Sequence, residues 1–185
     1  MNEIEALKIK AHEEWATLSW EHPKEALKSS DIILLIVKVF RKVERASIQN
    51  IFYIISEIHG IKIPEVHFIK GLKHPYSSYV DHELQVMVSL GFLREELVYE
   101  DVVKRFYELT VYGEVLLLDI MKEKKYTELE KFIELLPLSS TLLQKFAKAL
   151  FMKRRIVPPE DWGMTEEEAD EAVETLSRLS RLGRP

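Results

Sequence analysis

The stretch His74–Glu83, HPYSSYVDHE, holds two histidines, two serines and an aspartate within ten positions. These are the residue types of a nucleophile, a base and an orienting acid. Their spacing argues against that use. Asp81 and His82 are adjacent, so on a helix they point about 100° apart and cannot orient one another. No G-x-S-x-G turn surrounds Ser77 or Ser78. The same residues suit a helix start, with Ser78 and Asp81 at the spacing of a capping box. The chain is therefore expected to be a non-enzyme.

Metal and cofactor chemistry fare no better. His59, His67, His74 and His82 are scattered, and "HEEW" at 12–15 lacks the second histidine of an H-E-x-x-H pair. The six glycines show no Walker or dinucleotide spacing, and the chain has no cysteine, which removes disulfides and thiolate zinc sites. Glu166, Glu167 and Glu168 read as a helix start favoured by the dipole. No cofactor and no metal are expected.

Helical periodicity governs most of the sequence. Residues 3–18 predict an amphipathic helix through Ile4, Leu7, Ala11, Trp15 and Leu18, broken at Pro23. Ser30 and Asp31 are good N-terminal residues for a second helix, apolar nearly all round from Ile32 to Val43 and so central to the fold. Ser47 can cap a third, "SIQNIFYIISEIHG", with Gly60 as a left-handed stop. "VHFIK" reads as a short strand. From Ser78 to Gly91 a helix buries Val80, Leu84, Met87 and Val88 and leaves Ser78, His82, Gln85 and Ser89 as a narrow polar stripe. The alternation in "FLREELVYEDVVKRFYEL" predicts a hairpin turning at Glu100 and Asp101, and Thr110 caps the helix after it.

The tail continues in helices. Thr127 with Glu130, Ser139 or Ser140, and Thr165 with Glu168 mark three starts, and "IVPPEDWGM" is the clearest linker. Trp162 is expected to anchor the last helix. Its stripe Ala169, Ala172, Val173, Leu176 and Leu179 must be buried, on the chain itself or in a homodimer.

The order helix, helix, helix, hairpin, helix matches a winged helix-turn-helix. The phrase "MVSLGFLREE…FYELTVYGEVLL" resembles the recognition-helix exit, wing and following helix of many such proteins. The expected class is mainly α: a winged helix-turn-helix core over 29–125 with a β-hairpin wing, an N-terminal helix and linker over 1–28, and a helical C-terminal extension over 126–185.

Residues 31–95 together resemble the Panacea antitoxin-like domain family, which includes SocA-like and YwgA-like proteins. The resemblance rests on the apolar helix, on "SIQNIFYII" and on "HFIKGLKHPYSSYVDHELQVMVSLGFL", in which Pro75, Tyr76 and Ser77 match and His74 replaces the family's glycine. It implies a non-enzymatic protein that binds another protein, often a toxin or a component of a degradation pathway.

Charge separates the two uses of such a fold. The net charge is -5 and the pI near 5.8. No Lys or Arg occurs between Lys73 and Arg94, where a major-groove helix would carry them. Lys62, Lys70 and Lys73 precede the helix, and Arg94, Lys104 and Arg105 on the hairpin face Glu95, Glu96, Glu100 and Asp101. Such a surface repels phosphates. The first expectation is a protein-interaction or adaptor module whose contact face includes Lys70, Lys73, Tyr76, Ser78, Tyr79, His82, Gln85, Ser89, Arg94, Lys104 and Arg105. The alternative is a dimeric regulator reading duplex DNA with the same helix. The longest apolar run, "IILLIV", is too short for a bilayer, the start lacks a secretory h-region, and no membrane partner is expected. A cytoplasmic protein is expected, and 31% charged residues with two asparagines suit a thermophile.

Overall fold

The computed structural model describes residues 27–155 and 162–182. The helix expected over residues 3–18 and positions 156–161 of the linker lie outside the described residues. The chain is mainly helical with a small antiparallel sheet. In order it forms α1 (Ser29–Phe40), β1 (Lys42–Glu44), α2 (Arg45–His59), β2 (Ile69–Lys70), β3 (Pro75–Tyr76) and α3 (Ser78–Ser89). There follow β4 (Leu93–Tyr99), β5 (Val103–Leu109), α4 (Val111–Ile120), α5 (Lys124–Glu134), α6 (Ser140–Arg155) and α7 (Glu166–Leu182).

The apolar run of α1 explains its place. Ile32 to Val37 are fully buried, and α2, α3, α4, α5 and β5 all pack around them. Each such side chain contributes about 1.5–3 kcal/mol on leaving water. This helix differs from expectation at both ends. It begins at Ser29 with Lys28 as a cap that makes no side-chain bond. Asp31 is drawn inward instead, where the Tyr126 hydroxyl donates to its Oδ2. At the far end the apolar pattern runs on to Val43, yet the helix stops at Phe40. Arg41 reverses the chain with φ 62° and ψ −61°. Residues 42–44 then join the sheet, because Val43 finds a buried place opposite Tyr107 on β5.

The sheet order is β1-β5-β4, all antiparallel. Ser47 lies inside α2 rather than capping it, since β1 delivers the chain at Glu44. Gly60 ends α2 in the left-handed conformation, as its position predicts. The strand expected at "VHFIK" shrinks to Ile69–Lys70, paired with Pro75–Tyr76.

The hairpin leads into α4 through a close contact. The Thr110 hydroxyl accepts from the Gly113 N–H at 3.2 Å and donates to the Gly91 carbonyl at 2.5 Å. A Cβ on Gly113 would lie 2.3 Å from the Phe92 carbonyl oxygen. That is the physical need for glycine in the T-x-x-G step.

The C-terminal helices share the same core. Phe132, Leu143, Phe151 and Leu176 belong to one apolar cluster with α1. Thr127 is not a cap, because α5 starts at Lys124. Thr165 and Glu168 do form a reciprocal capping box, at 2.9 and 3.1 Å. Ala169, Ala172 and Leu176 of α7 are buried, chiefly against α6. Those three are covered by the chain itself, while Val173 and Leu179 of the same stripe are partly exposed. Trp162 packs on Phe151 at 5.4 Å, and its Nε1 donates to the Gly71 carbonyl at 3.3 Å. Among the described residues, no helix is long and apolar enough to cross a membrane.

Candidate functional site: helix α3, the hairpin and the loop before them

Two hydrogen-bonded clusters fix α3. At its start, Asp81 accepts from Arg45 Nε at 2.7 Å, Gln49 Nε2 at 3.0 Å and Tyr76 Oη at 2.8 Å, with a further bond from Arg45 Nη2. Burial alone would raise the Asp81 carboxyl. The donors from Arg45, Tyr76 and Gln49 together outweigh burial and hold it below its ordinary value. Asp81 is therefore not the capping-box partner that its spacing predicts. Ser77, not Ser78, is the cap position, and its Oγ is buried with no partner. Gln49 replaces the side-chain cap. It bonds the Ser77 backbone twice, at 3.0 Å to the N–H and 2.9 Å to the carbonyl.

The second cluster joins α3 to the hairpin. Glu95 Oε1 accepts from Tyr107 Oη at 2.8 Å, Gln85 Nε2 at 3.2 Å and Arg105 Nη1 at 3.4 Å. Burial opposes ionisation of Glu95, but the bonds from Tyr107, Gln85 and Arg105 keep its carboxyl below the usual range. Burial, then the bond to Glu95, pushes the Tyr107 hydroxyl well up.

Ser78, His82, Gln85 and Ser89 form an exposed edge on α3, opposite buried Val80, Leu84 and Met87. Gln85 is committed to Glu95 and Tyr107, and the Ser89 hydroxyl donates back to the Gln85 carbonyl at 2.8 Å. Tyr76 is half-buried over Arg45 and bonded to Asp81. Tyr79 is half-buried, its hydroxyl raised by burial and by neighbouring Glu83. Lys70 sits 5.9 Å above the Trp162 ring, and Lys73 is exposed.

The basic residues of the hairpin are neutralised. Arg94 pairs with Glu108, Lys104 with Glu100 at 2.5 Å, and Arg105 with Glu95. Three further basic groups are also paired: Lys42 with Glu96, Lys153 with Asp170 and Arg154 with Glu57.

Exposed apolar side chains stand at the tip. Leu97, Tyr99, Val102 and Val103 all face solvent, Tyr99 at 74% exposure. Register puts Glu95, Leu97, Tyr99, Val103, Arg105 and Tyr107 on one face of the hairpin. Glu95 and Tyr107 reach α3, so that apolar tip continues the surface begun by the α3 edge.

The histidines stay apart. His59 packs edge-on to Phe132, His74 Nδ1 donates to the Pro75 carbonyl at 2.7 Å, and His67 and His82 are exposed. Among the described residues, no three His, Asp or Glu side chains converge as metal ligands. Sequence reasoning missed Gln49 and Tyr107 because both sit within apolar patterns. It misread Asp81 because a local spacing concealed distant partners.

No protein-family model and no curated protein matches this sequence.

Proposed function

We propose that residues 29–125 form a winged-helix module that binds another protein, as an antitoxin-like adaptor of the kind the Panacea resemblance implies. The arrangement α1-β1-α2-α3-β4-β5-α4 supports the winged reading, with β1 joining the hairpin as third strand between the first two helices. The single observation that carries the protein-binding reading is the hairpin tip. A wing that tracks phosphates needs free Lys or Arg. This one exposes Leu97, Tyr99, Val102 and Val103 beside Glu100 and Asp101, with its basic groups paired to acids. An exposed tyrosine among apolar neighbours is the usual anchor of a protein interface.

The test is a photo-crosslinking amino acid at position 99, followed by recovery from extract of the native host. One protein of defined mass, crosslinked at both low and high salt and lost in Val103→Asp, is the expected result. Duplex DNA of a single sequence, bound with a steep salt dependence, would reverse the reading in favour of a transcriptional regulator.

A further inference from the structure

A half-open cavity of about 500 Å³ lies away from the hairpin, between the first turns of α2 and α6 and the β2–β3 hairpin. Three observations single it out. First, α2 and α6 run parallel. Tyr53 meets Phe151 at 5.6 Å and Glu57 meets Arg154 at 3.4 Å further along both helices. Their N-terminal ends, near Ala46 and Ser140, consequently open on the same space. Two positive dipole ends side by side repel, and neither helix carries an acid in its first turn. Among the described residues, Glu44 is the one acid lining the cavity.

Second, Asn50 lines this cavity, is only 2% exposed, and its Oδ1 has no hydrogen-bond partner among the described residues. A buried amide oxygen left unpaired costs about 1–3 kcal/mol, and a ligand donor would remove that cost. Third, Lys73 lines the same space, and Lys148, 6.0 Å over the Trp162 ring, has its ammonium pushed down by burial and then by Lys73. An anion would relieve that repulsion.

The geometry points to a binding site for a small organic anion. Its carboxylate or phosphate sits at Lys73, at the first-turn N–H groups of α2 and at those of Ser140 and Thr141 in α6, the Leu142 N–H being held by Ser139 Oγ at 3.4 Å, and its hydroxyl- or amine-bearing body donates to Asn50. The volume is that of a small-molecule site. The ligand chemistry is that of a hydroxy acid or a sugar-phosphate fragment, and the two are separated by the choice of probe.

The full chain, labelled with ¹⁵N at asparagine, has two such residues, Asn2 and Asn50, so the Asn50 side-chain amide is readily assigned. Titration with malate, with glycerol 3-phosphate and with inorganic phosphate reads the site. One of the two organic probes should shift the Asn50 side-chain amide saturably. Lys73→Ala should weaken that probe about tenfold, the loss of one charge-assisted bond. Thr141→Glu should abolish binding while keeping or raising the melting temperature, since it places a carboxylate at the helix start. The proposal fails if neither organic probe saturates, or if Thr141→Glu binds as the parent does. It also fails if inorganic phosphate shifts the Asn50 side-chain amide as strongly as the organic probes do, which would mean an adventitious ion only.

Discussion

Gln49 holds Ser77 as one strand holds another: its Oε1 accepts from the Ser77 N–H at 3.0 Å and its Nε2 donates to the Ser77 carbonyl at 2.9 Å. The same Nε2 reaches Asp81 Oδ1 at 3.0 Å. One amide of α2 thereby fixes both the entry and the first turn of α3, the helix that presents the candidate interface.

Replacing that amide tests the link. Gln49 is 1% exposed. Gln49→Glu turns a donor into an acceptor facing two acceptors. It should cost more than Gln49→Ala and at least about 1–3 kcal/mol, the penalty for unsatisfied buried groups. Urea unfolding measures the loss. Amide exchange should rise first at residues 78–82, and uniform exchange across the chain would contradict the localised role of Gln49.

Gly113→Ala should be worse than an ordinary helix substitution. Alanine normally favours a helix by about 1 kcal/mol over glycine. Here the added carbon meets the Phe92 carbonyl at 2.3 Å, so the sign reverses and the melting temperature falls. A neutral or stabilising result would mean that α4 can move away from the hairpin.

Asp31 sets a pH dependence. Burial lifts its carboxyl from 3.8 to about 6, against the Tyr126 hydroxyl bond, which lowers it. In the unfolded chain it ionises first. Between about pH 4 and 6 the folded state binds more protons, so this group's contribution to stability falls as pH rises and stays low above pH 6. The rise corresponds to something on the order of 2–3 kcal/mol. Asp31→Asn keeps an acceptor for Tyr126 and carries no charge, so it should remove that slope and be the more stable protein at pH 7. Parallel stability–pH curves for the two proteins would exclude this role.

The hairpin tip makes the opposite kind of prediction. Tyr99→Ala, at an exposed site, should leave the unfolding free energy within about 0.5 kcal/mol of the parent. Partner affinity should nonetheless fall by a factor of ten or more, as expected for an aromatic anchor at about 2 kcal/mol. Isothermal titration with the crosslinked partner measures it. Unchanged affinity would move the interface elsewhere.

Much was legible in the chain because it depends on local physics. The buried face of α3 follows from Val80, Leu84 and Met87 recurring at helical spacing. The hairpin follows from strict alternation, the cap of α4 from Thr110, and the start of α7 from Thr165 and Glu168. Each is settled by neighbours within four residues. The strand β1 was not legible, because Val43 continues an apolar pattern that a helix would serve equally well. Only the buried slot opposite Tyr107 turns it into a strand.

By itself, then, the sequence determined which segments coil, which alternate and which faces are apolar, since those properties are set by side-chain period and backbone preference. Tertiary structure alone decided what the polar residues do. Asp31 and Asp81 each had a local role in the sequence reading, and Gln49 had none. Each of the three was claimed by a partner 28 to 95 residues away, because a buried polar group must find its hydrogen bond wherever the packed chain supplies one.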